Sequence, residues 1–169
     1  MEYDAEGGNY MKILAIDAGN THSGVAIVEL PEFRLVWFNK LPNEEIYRVV
    51  KNFYIDEVAL EMVECYGMPV GKDVFETCVW IGRFVEQFKD YKISYVYRHE
   101  EKMCLCGSLK AKDSNIKRAL IDRYAKHDFK TGKGIKKNQD VFYGVSNDVW
   151  TAIAVAVTHY ENKKTEGKD

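Results

Sequence analysis

The stretch Lys12–Leu30 reads KILAIDAGNTHSGVAIVEL and decides the fold of this chain. It contains two apolar runs, Lys12–Asp17 and Ser23–Leu30, separated by a turn of small and polar residues. Short apolar runs that are rich in Val and Ile and bounded by Gly and Asn are typical of buried strands. After a turn at Pro31, the run Phe33–Asn39 predicts a third strand. Three strands with such short connections predict an antiparallel meander.

The rest of the chain alternates between helical and strand patterns. Asp73 is expected to cap a helix, with Glu76 completing a capping box, and the basic, Gly-rich segment His127–Phe142 is expected to be a mobile loop. The order β-β-β-α-β-α-β-α-α predicts an α/β fold with a five-stranded mixed sheet, an antiparallel meander and then parallel strands, and helices on both faces. After the meander, the spacing of apolar residues predicts a helix from Pro42 onwards, a strand at Glu57–Val63, a helix at Asp73–Lys89, a strand at Ile93–Tyr97, and helices at Ser114–Lys126 and Asp148–Tyr160.

Length and composition fit a single globular domain. The chain has 169 residues, of which 46% are hydrophobic, enough to bury a core. We expect the domain to span residues 11–161, between a disordered N-terminal extension at residues 1–10 and a disordered tail at residues 162–169. No apolar run approaches the about 20 residues of a membrane span. The acidic start differs from a signal peptide, and the four cysteines lack a zinc-binding pattern. These features predict a cytoplasmic protein with reduced thiols and no membrane partner.

The charge of the chain is unevenly distributed. The net charge of -2 argues against binding of nucleic acid through bulk charge. The segment Lys102–Lys137, however, contains eleven basic residues and only three acids. Such a segment predicts a local basic surface that neutralises phosphates, with a solvated Lys-rich helix and loop as the alternative.

Three acids interrupt apolar segments. Asp17 ends the first strand, Glu61 lies within the fourth, and Asp148 begins the last helix. A buried carboxylate is costly unless it is paired or bound to a metal. Each acid alone could be a salt-bridge partner, and Asp148 could be a helix cap. Together they predict one cleft that binds Mg²⁺, or equally Mn²⁺, since the ligands are hard oxygens. Two cations held in this way can activate a water and stabilise the leaving oxygen during hydrolysis of a phosphodiester.

Three segments of the sequence carry a resemblance to a known family. Ile13–Gly24, Ala59–Met62 and Asn147–Ala156 resemble the three acidic motifs of RuvC-like Holliday junction resolvases, in the RNase H-like superfamily. Glu61–Glu86 and Cys106–Tyr124 are similar in particular to small resolvase-like proteins of phages and prophages. The resemblance extends from residue 12 to about residue 159. It implies an RNase H-like fold and a divalent-metal-dependent endonuclease that cuts branched DNA, either four-way junctions or flaps, in recombination and repair.

The resemblance also implies roles for individual residues. The catalytic metal ligands that it implies are Asp17, Glu61 and Asp148. Thr151 stands where the bacterial family usually has a second acid on the last helix, which leaves the second metal site open, because a hydroxyl binds a cation far more weakly than a carboxylate. The residues expected near the DNA are Lys102, Lys110, Lys112, Lys117 and Arg118.

Other residues near the acids have two interpretations each. His22, beside the turn after Asp17, either contacts phosphate or metal or is a surface histidine. Glu64 is a possible substitute for the acid that is missing from the last helix. It follows Glu61 by three residues, however, so in a continuous strand the two side chains would point to opposite faces of the sheet. The large apolar side chains that follow Glu61 either wedge into an open junction or belong to the core; they are Tyr66, Met68 and Phe75.

A four-way junction is cut on two strands, whereas the chain offers one set of carboxylates. A resolvase of this kind should therefore be a symmetric homodimer. The helix Asp73–Lys89 is the expected interface, with Trp80 and Phe84 beside its apolar stripe.

Three alternative functions start from the same residues. Asp17–Thr21 also resembles the phosphate loop of actin-like and sugar-kinase ATPases, especially of type III pantothenate kinases. Those proteins need a second domain of the same fold, for which 169 residues leave no room. The second alternative is a branched-DNA-binding protein whose site has decayed through Thr151. The third is an RNase H-like nuclease that acts on RNA–DNA hybrids, because the carboxylate chemistry is shared.

Overall fold

The structure, a computed structural model, describes residues 10–167. It contains five long strands, five helices and a short two-stranded hairpin within that range. In chain order they are β1 Met11–Asp17, β2 His22–Leu30, β3 Arg34–Pro42, α1 Asn43–Val50, β4 Glu57–Met62, α2 Lys72–Gln87, β5 Lys92–Tyr97, α3 Arg98–Cys106, α4 Asp113–Tyr124, β6 Gly134–Ile135, β7 Asn138–Gln139 and α5 Asn147–Glu166.

The predicted mixed sheet is confirmed. Its strand order is β3-β2-β1-β4-β5, with β1, β2 and β3 antiparallel and with β4 and β5 parallel to β1. In the parallel half, Ile16 pairs with Leu60, so β1 and β4 end side by side. Ligands of such sheets bind beyond the carboxyl ends of the parallel strands.

Helices cover both faces of the sheet and bury two separate cores. Along β1, Ile13 and Ala15 join the core formed with α3, α4 and α5, whereas Leu14 and Ile16 join the core formed with α1 and α2. Successive strand residues point to opposite faces, so Asp17 falls on the α5 face. Glu57 on β4 confirms the orientation of that strand, because its Oε2 lies 2.8 Å from His159 Nε2 of α5. Glu61, four residues further along β4, faces α5 as well.

Helix α2 is confirmed, but its predicted cap is wrong, and the two rings expected at its interface are buried. The helix is capped at Gly71 without a side-chain bond, and Asp73 lies inside the first turn, where it accepts a hydrogen bond from Asn20. Trp80 is 9% exposed and Phe84 is 0% exposed, and both pack in the core against the sheet. Because both side chains are covered by the protein itself, these two residues cannot form a subunit interface.

Helix α3 was not predicted from the sequence. Its nine residues, RHEEKMCLC, lack an apolar stripe, and Leu105 and Glu101 are its buried residues. A helix that buries a carboxylate in place of an apolar residue escapes a search for hydrophobic periodicity. The helix ends at Gly107, which adopts a φ of 66°, a conformation that favours glycine.

The segment His127–Phe142 is a structured loop, contrary to the prediction of a mobile one. It contains the hairpin β6–β7, and the buried Asp140 carboxylate accepts four backbone N–H groups. Arg118 of α4 donates to the carbonyl oxygens of Phe129 and Lys130. These polar bonds, together with Phe142, which is fully buried in the core, hold the segment in place.

The two ends of the chain had been predicted to be disordered. Helix α5 continues to Glu166, so the predicted disordered tail is helical as far as that residue. Its Lys163 pairs with Glu57 of β4, and Asn162 donates to Glu100. Of the predicted N-terminal extension, residues 1–9 lie outside the described residues.

None of the helices in the described part of the chain is both long and apolar enough to cross a membrane, and the four cysteines are free thiols.

The bonds to Asp140 predict a pH-dependent contribution to stability. Burial alone would raise the pKa of Asp140, but the N–H groups of Asp128, His127, Lys126 and Val141 outweigh it and hold the pKa well below its ordinary value. A lowered pKa gives stability that is present above the unfolded-state value of 3.8 and is lost as the pH falls towards the folded-state value.

We therefore expect Asp140→Asn to lower the free energy of unfolding by about 1–3 kcal/mol at pH 7. The difference from the wild type should shrink below a pH of about 4. Urea unfolding at pH 7 and pH 3 measures both effects, and Asp90→Asn, at an exposed position, is the control. A difference that stays constant over this pH range would contradict the assignment.

Candidate active site

Asp17 and Glu61 form the centre of the site. They end β1 and β4 in adjacent register and face α5. Burial raises the pKa of Asp17 to about 9, aided by a hydrogen bond with Glu61 and by the charges of Glu61 and Asp148. Burial likewise raises the pKa of Glu61 to about 7, although the bond with Asp17 lowers it. Without a cation, the pair therefore retains a proton at neutral pH.

Asp148 reaches this pair because of a glycine. Asp17, Gly24 and Lys40 form one row across β1, β2 and β3. A Cβ on Gly24 would overlap the carbonyl oxygen of Asp148, so the first turn of α5 lies directly on β2 beside Asp17. The Asp148 carboxylate is 42% exposed and pairs with Lys40 Nζ at 2.5 Å. The helix cap is Ser146, so Asp148 does not have the capping role that was its alternative.

Two residues of the site, Arg98 and Glu101, were missed in the sequence. Both lie on α3. Arg98 Nη1 lies 2.5 Å from Glu101 Oε2 and 3.9 Å from Glu61 Oε1. Burial raises the pKa of Glu101 to about 7, the charge of Arg98 lowers it, and the charge of Asp17 raises it. One signal could have revealed Glu101: it precedes Leu105 by four residues and therefore shares the buried face of any helix in this segment.

The donor set fits a divalent cation. Glu101 is fully buried, Asp17 and Glu61 are half-buried, and the pKa values of all three carboxyl groups are raised; Glu101 Oε1 is buried without a hydrogen-bond partner. Hard oxygen donors of this kind favour Mg²⁺ or Mn²⁺. As the side chains stand, residues 10–167 contain no group of three or more His, Cys, Asp or Glu arranged to hold an ion. Arg98 and Lys40 instead provide the positive charge, so a cation would have to separate Lys40 from Asp148.

Thr151 and Lys117 lie in a cleft next to the carboxylates. The cleft has a volume of about 290 Å³ and is lined by residues from α3, α4 and α5, including Arg98, Asn147 and Trp150. Lys117 Nζ lies 5.1 Å above the ring of Trp150. Because Arg98 contacts both Glu61 and this cleft, the cleft opens beside the acidic pair.

The other residues predicted to contact DNA are distributed unevenly. Lys110 and Lys112 are exposed at the start of α4. Arg118 pairs with Asp122 and donates to two loop carbonyl groups, so its guanidinium is used within the chain. Lys102 is half-buried on α3 beside Glu101, and among the described residues no ion pair joins it to the acids. Only Lys117 of this group borders the cleft.

His22 and Glu64 lie apart from the acidic pair. His22 is exposed, and its Nδ1 lies 3.1 Å from Thr21 Oγ1. Glu64 Oε1 lies 2.5 Å from His99 Nδ1, and Glu64 also accepts a bond from Tyr66. Within residues 10–167, no hydrogen bond or ion pair joins either residue to Asp17.

The apolar residues that follow Glu61 are on the surface rather than in the core. Tyr66 and Met68 are each 73% exposed, and Phe75, in the first turns of α2, is also exposed. The interpretation of these residues as core is therefore wrong, and the three side chains are accessible to a ligand.

The fold is that of RuvC. T. thermophilus RuvC in complex with a Holliday junction substrate matches with a TM-score of 0.70 and 16% identity, over 92% of this chain and 96% of that chain. A second Thermus thermophilus RuvC structure matches with the same TM-score and 15% identity, over 92% and 97% of the two chains. No protein-family model and no curated protein sequence matches this chain. The similarity to phage proteins therefore stays a prediction.

The contact at Gly24 can be tested by Gly24→Ala. The added methyl group would push the start of α5 away from β2, so we expect a loss of about 1–3 kcal/mol of stability. We also expect weaker Mn²⁺ binding, because Asp148 moves away from Asp17. Gly82→Ala is the control, since a Cβ there meets open space and alanine favours the helix by up to about 1 kcal/mol. Calorimetric Mn²⁺ binding equal in both variants would contradict the role of Gly24.

Proposed function

We propose that this protein is a divalent-metal-dependent endonuclease that cuts branched DNA in the manner of a Holliday junction resolvase. The observation that carries this proposal is the buried pair Asp17 and Glu61 at the ends of adjacent parallel strands, with Asp148 brought beside it by Gly24. A RuvC fold surrounds the pair. Buried acids that repel each other contribute little to stability, so a ligand explains their presence better than folding does.

Asp17, Glu61 and Asp148 would hold the cation, Mg²⁺ or Mn²⁺. When bound, such a cation activates a water and stabilises the leaving oxygen of a phosphodiester. The residues of the chain prepare this chemistry. The turn after Asp17 is fixed by Gly19, Ser23 and Asn43: Gly19 N donates to Ser23 Oγ at 3.1 Å, and Ser23 Oγ donates to Asn43 Oδ1 at 2.6 Å. A fixed turn keeps the Asp17 carboxylate in position without reorganisation.

The substrate surface would lie along the cleft and the start of α4. Lys117 borders the cleft, and Lys110 and Lys112 continue the positive charge along the surface. These ammonium groups can neutralise phosphates near the acids even though the chain as a whole is slightly acidic. Tyr66 and Met68 are the exposed residues available to enter an open junction. The similarity to a RuvC bound to a Holliday junction supports branched DNA as the substrate class.

A symmetric homodimer would supply the two sites that a four-way junction needs. Since Trp80 and Phe84 are core residues, the outward side of α2, with Phe75 and Val79 exposed, is the surface we assign to this contact. Light scattering at micromolar concentration should give the mass of a dimer, and a monomer would argue against the assignment.

One observation favours a second function, a branched-DNA-binding protein that does not cut. Thr151 provides no carboxylate, and Arg98 and Lys40 already pair with acids of the site. This alternative shares every DNA-binding feature and differs only in activity.

The test is cleavage of labelled four-way junction, flap and linear duplex DNA with Mg²⁺, Mn²⁺ or chelator. We expect metal-dependent cutting of the branched substrates that falls by roughly 100-fold or more in Asp17→Asn, since the variant removes a ligand of the cation. Asp90→Asn should cut normally, because Asp90 is exposed and precedes the start of β5, at the opposite end of the sheet from Asp17 and Glu61.

Two results would count against the nuclease. Tight binding of branched DNA without cutting, in either metal, would favour the non-cutting alternative. Neither binding nor cutting would exclude both functions, and binding of ATP would then be the next property to measure.

A further inference from the structure

Glu101 is the most deeply buried acid of the chain among those described. Its side chain is 0% exposed, and the other buried residue of this nine-residue helix is Leu105. Arg98 Nη1 lies 2.5 Å from its Oε2, and Oε1 has no hydrogen-bond partner. A buried carboxylate oxygen normally has a partner, so this oxygen is available to a ligand.

The unpaired oxygen belongs to the acidic centre. The Arg98 nitrogen that contacts Glu101 also lies 3.9 Å from Glu61 Oε1. The Glu101 and Glu61 carboxyl groups also hydrogen-bond to each other directly, and the charge of Glu101 interacts with that of Asp17. Helix α3 can bring Glu101 to the acidic centre because the helix starts directly after β5. The last residue of β5, Tyr97, pairs with Met62 at the end of β4.

The single arginine is not enough to neutralise these acids. Arg98 is shared between Glu101, Glu61 and the exposed Asp113. Asp17 adds a further carboxyl group to the same buried space. On α5, the residue one turn after Asp148 is Thr151, which brings no charge. The site thus has an excess of buried oxygen donors on the α3 side and a deficit on the α5 side.

We propose that Glu101 is a further ligand of the divalent cation on the α3 side of Asp17 and Glu61, and that it takes the place of the second α5 carboxylate, which Thr151 does not provide. The proposal rests on the proposed function, since it assumes that the acidic centre binds Mg²⁺ or Mn²⁺. The competing explanation is that Glu101 serves only as the counter-ion that holds Arg98. That role accounts for the contact of Oε2 with Arg98 but not for the direct contact between the Glu101 and Glu61 carboxyl groups.

Isothermal titration calorimetry with Mn²⁺ separates the two explanations. If Glu101 is a ligand, Glu101→Gln should bind Mn²⁺ at least about tenfold more weakly than the wild type. Glu86→Gln, an exposed position on α2, changes the charge equally and should bind Mn²⁺ like the wild type. Far-UV circular dichroism without metal checks that each variant is folded.

The outcomes also separate this proposal from the proposed function. If Asp17→Asn loses Mn²⁺ binding while Glu101→Gln binds within twofold of the wild type, Glu101 is not a ligand and the nuclease site stands. If Asp17→Asn binds like the wild type, or if the wild type binds no Mn²⁺, the acidic centre is not a cation site and both proposals fail.

A measurement on the wild type covers the case in which Glu101→Gln does not fold. Anomalous scattering from Mn²⁺-soaked crystals locates the ion directly. Manganese within coordination distance of a Glu101 oxygen would support the proposal. Manganese held by Asp17 and Glu61, with Glu101 still bound to Arg98 alone, would overturn it.

Discussion

The side-by-side burial of Asp17 and Glu61 is the constraint on which the rest of the structure depends. Two carboxyl groups that share a proton at the ends of β1 and β4 are costly to bury. The surrounding fold accommodates them: the glycine at position 24 lets α5 approach, and Arg98 brings positive charge from α3. These features gather carboxyl groups at one end of the sheet, and Asp17 and Glu61 belong to neither of the two hydrophobic cores.

The sheet and its three acids were predictable from the sequence because each has a local signal. Apolar runs define β1, β2 and β4, and strand parity places Asp17 and Glu61 on one face. Helix α3 lacked such a signal, since Glu101 takes the buried position that an apolar residue would fill. Glu101 and Arg98 were therefore missed, although they contact the predicted site.

The features that could not be predicted depend on contacts between residues distant in sequence. Lys40 and Asp148 pair across more than 100 residues of chain, and the loop around Asp140 is held by Arg118 as well as by its own residues. The choice of Trp80 and Phe84 as interface residues failed for a similar reason. A helix with apolar residues on more than one side does not reveal which side the sheet covers; here the sheet covers Trp80 and Phe84 but leaves Phe75 exposed.

The central claim is that Asp17 and Glu61 form a binding site for a divalent cation. Thermal unfolding with and without Mn²⁺ tests this claim most directly. A ligand at 100 times its dissociation constant adds about 2.7 kcal/mol, which for a chain of this size raises the Tm by roughly 5–10 °C. The account predicts a rise of this order for the wild type. It predicts little or none for Asp17→Asn, whose Tm without metal should equal or exceed that of the wild type. Equal rises in both proteins, or none in either, would contradict it.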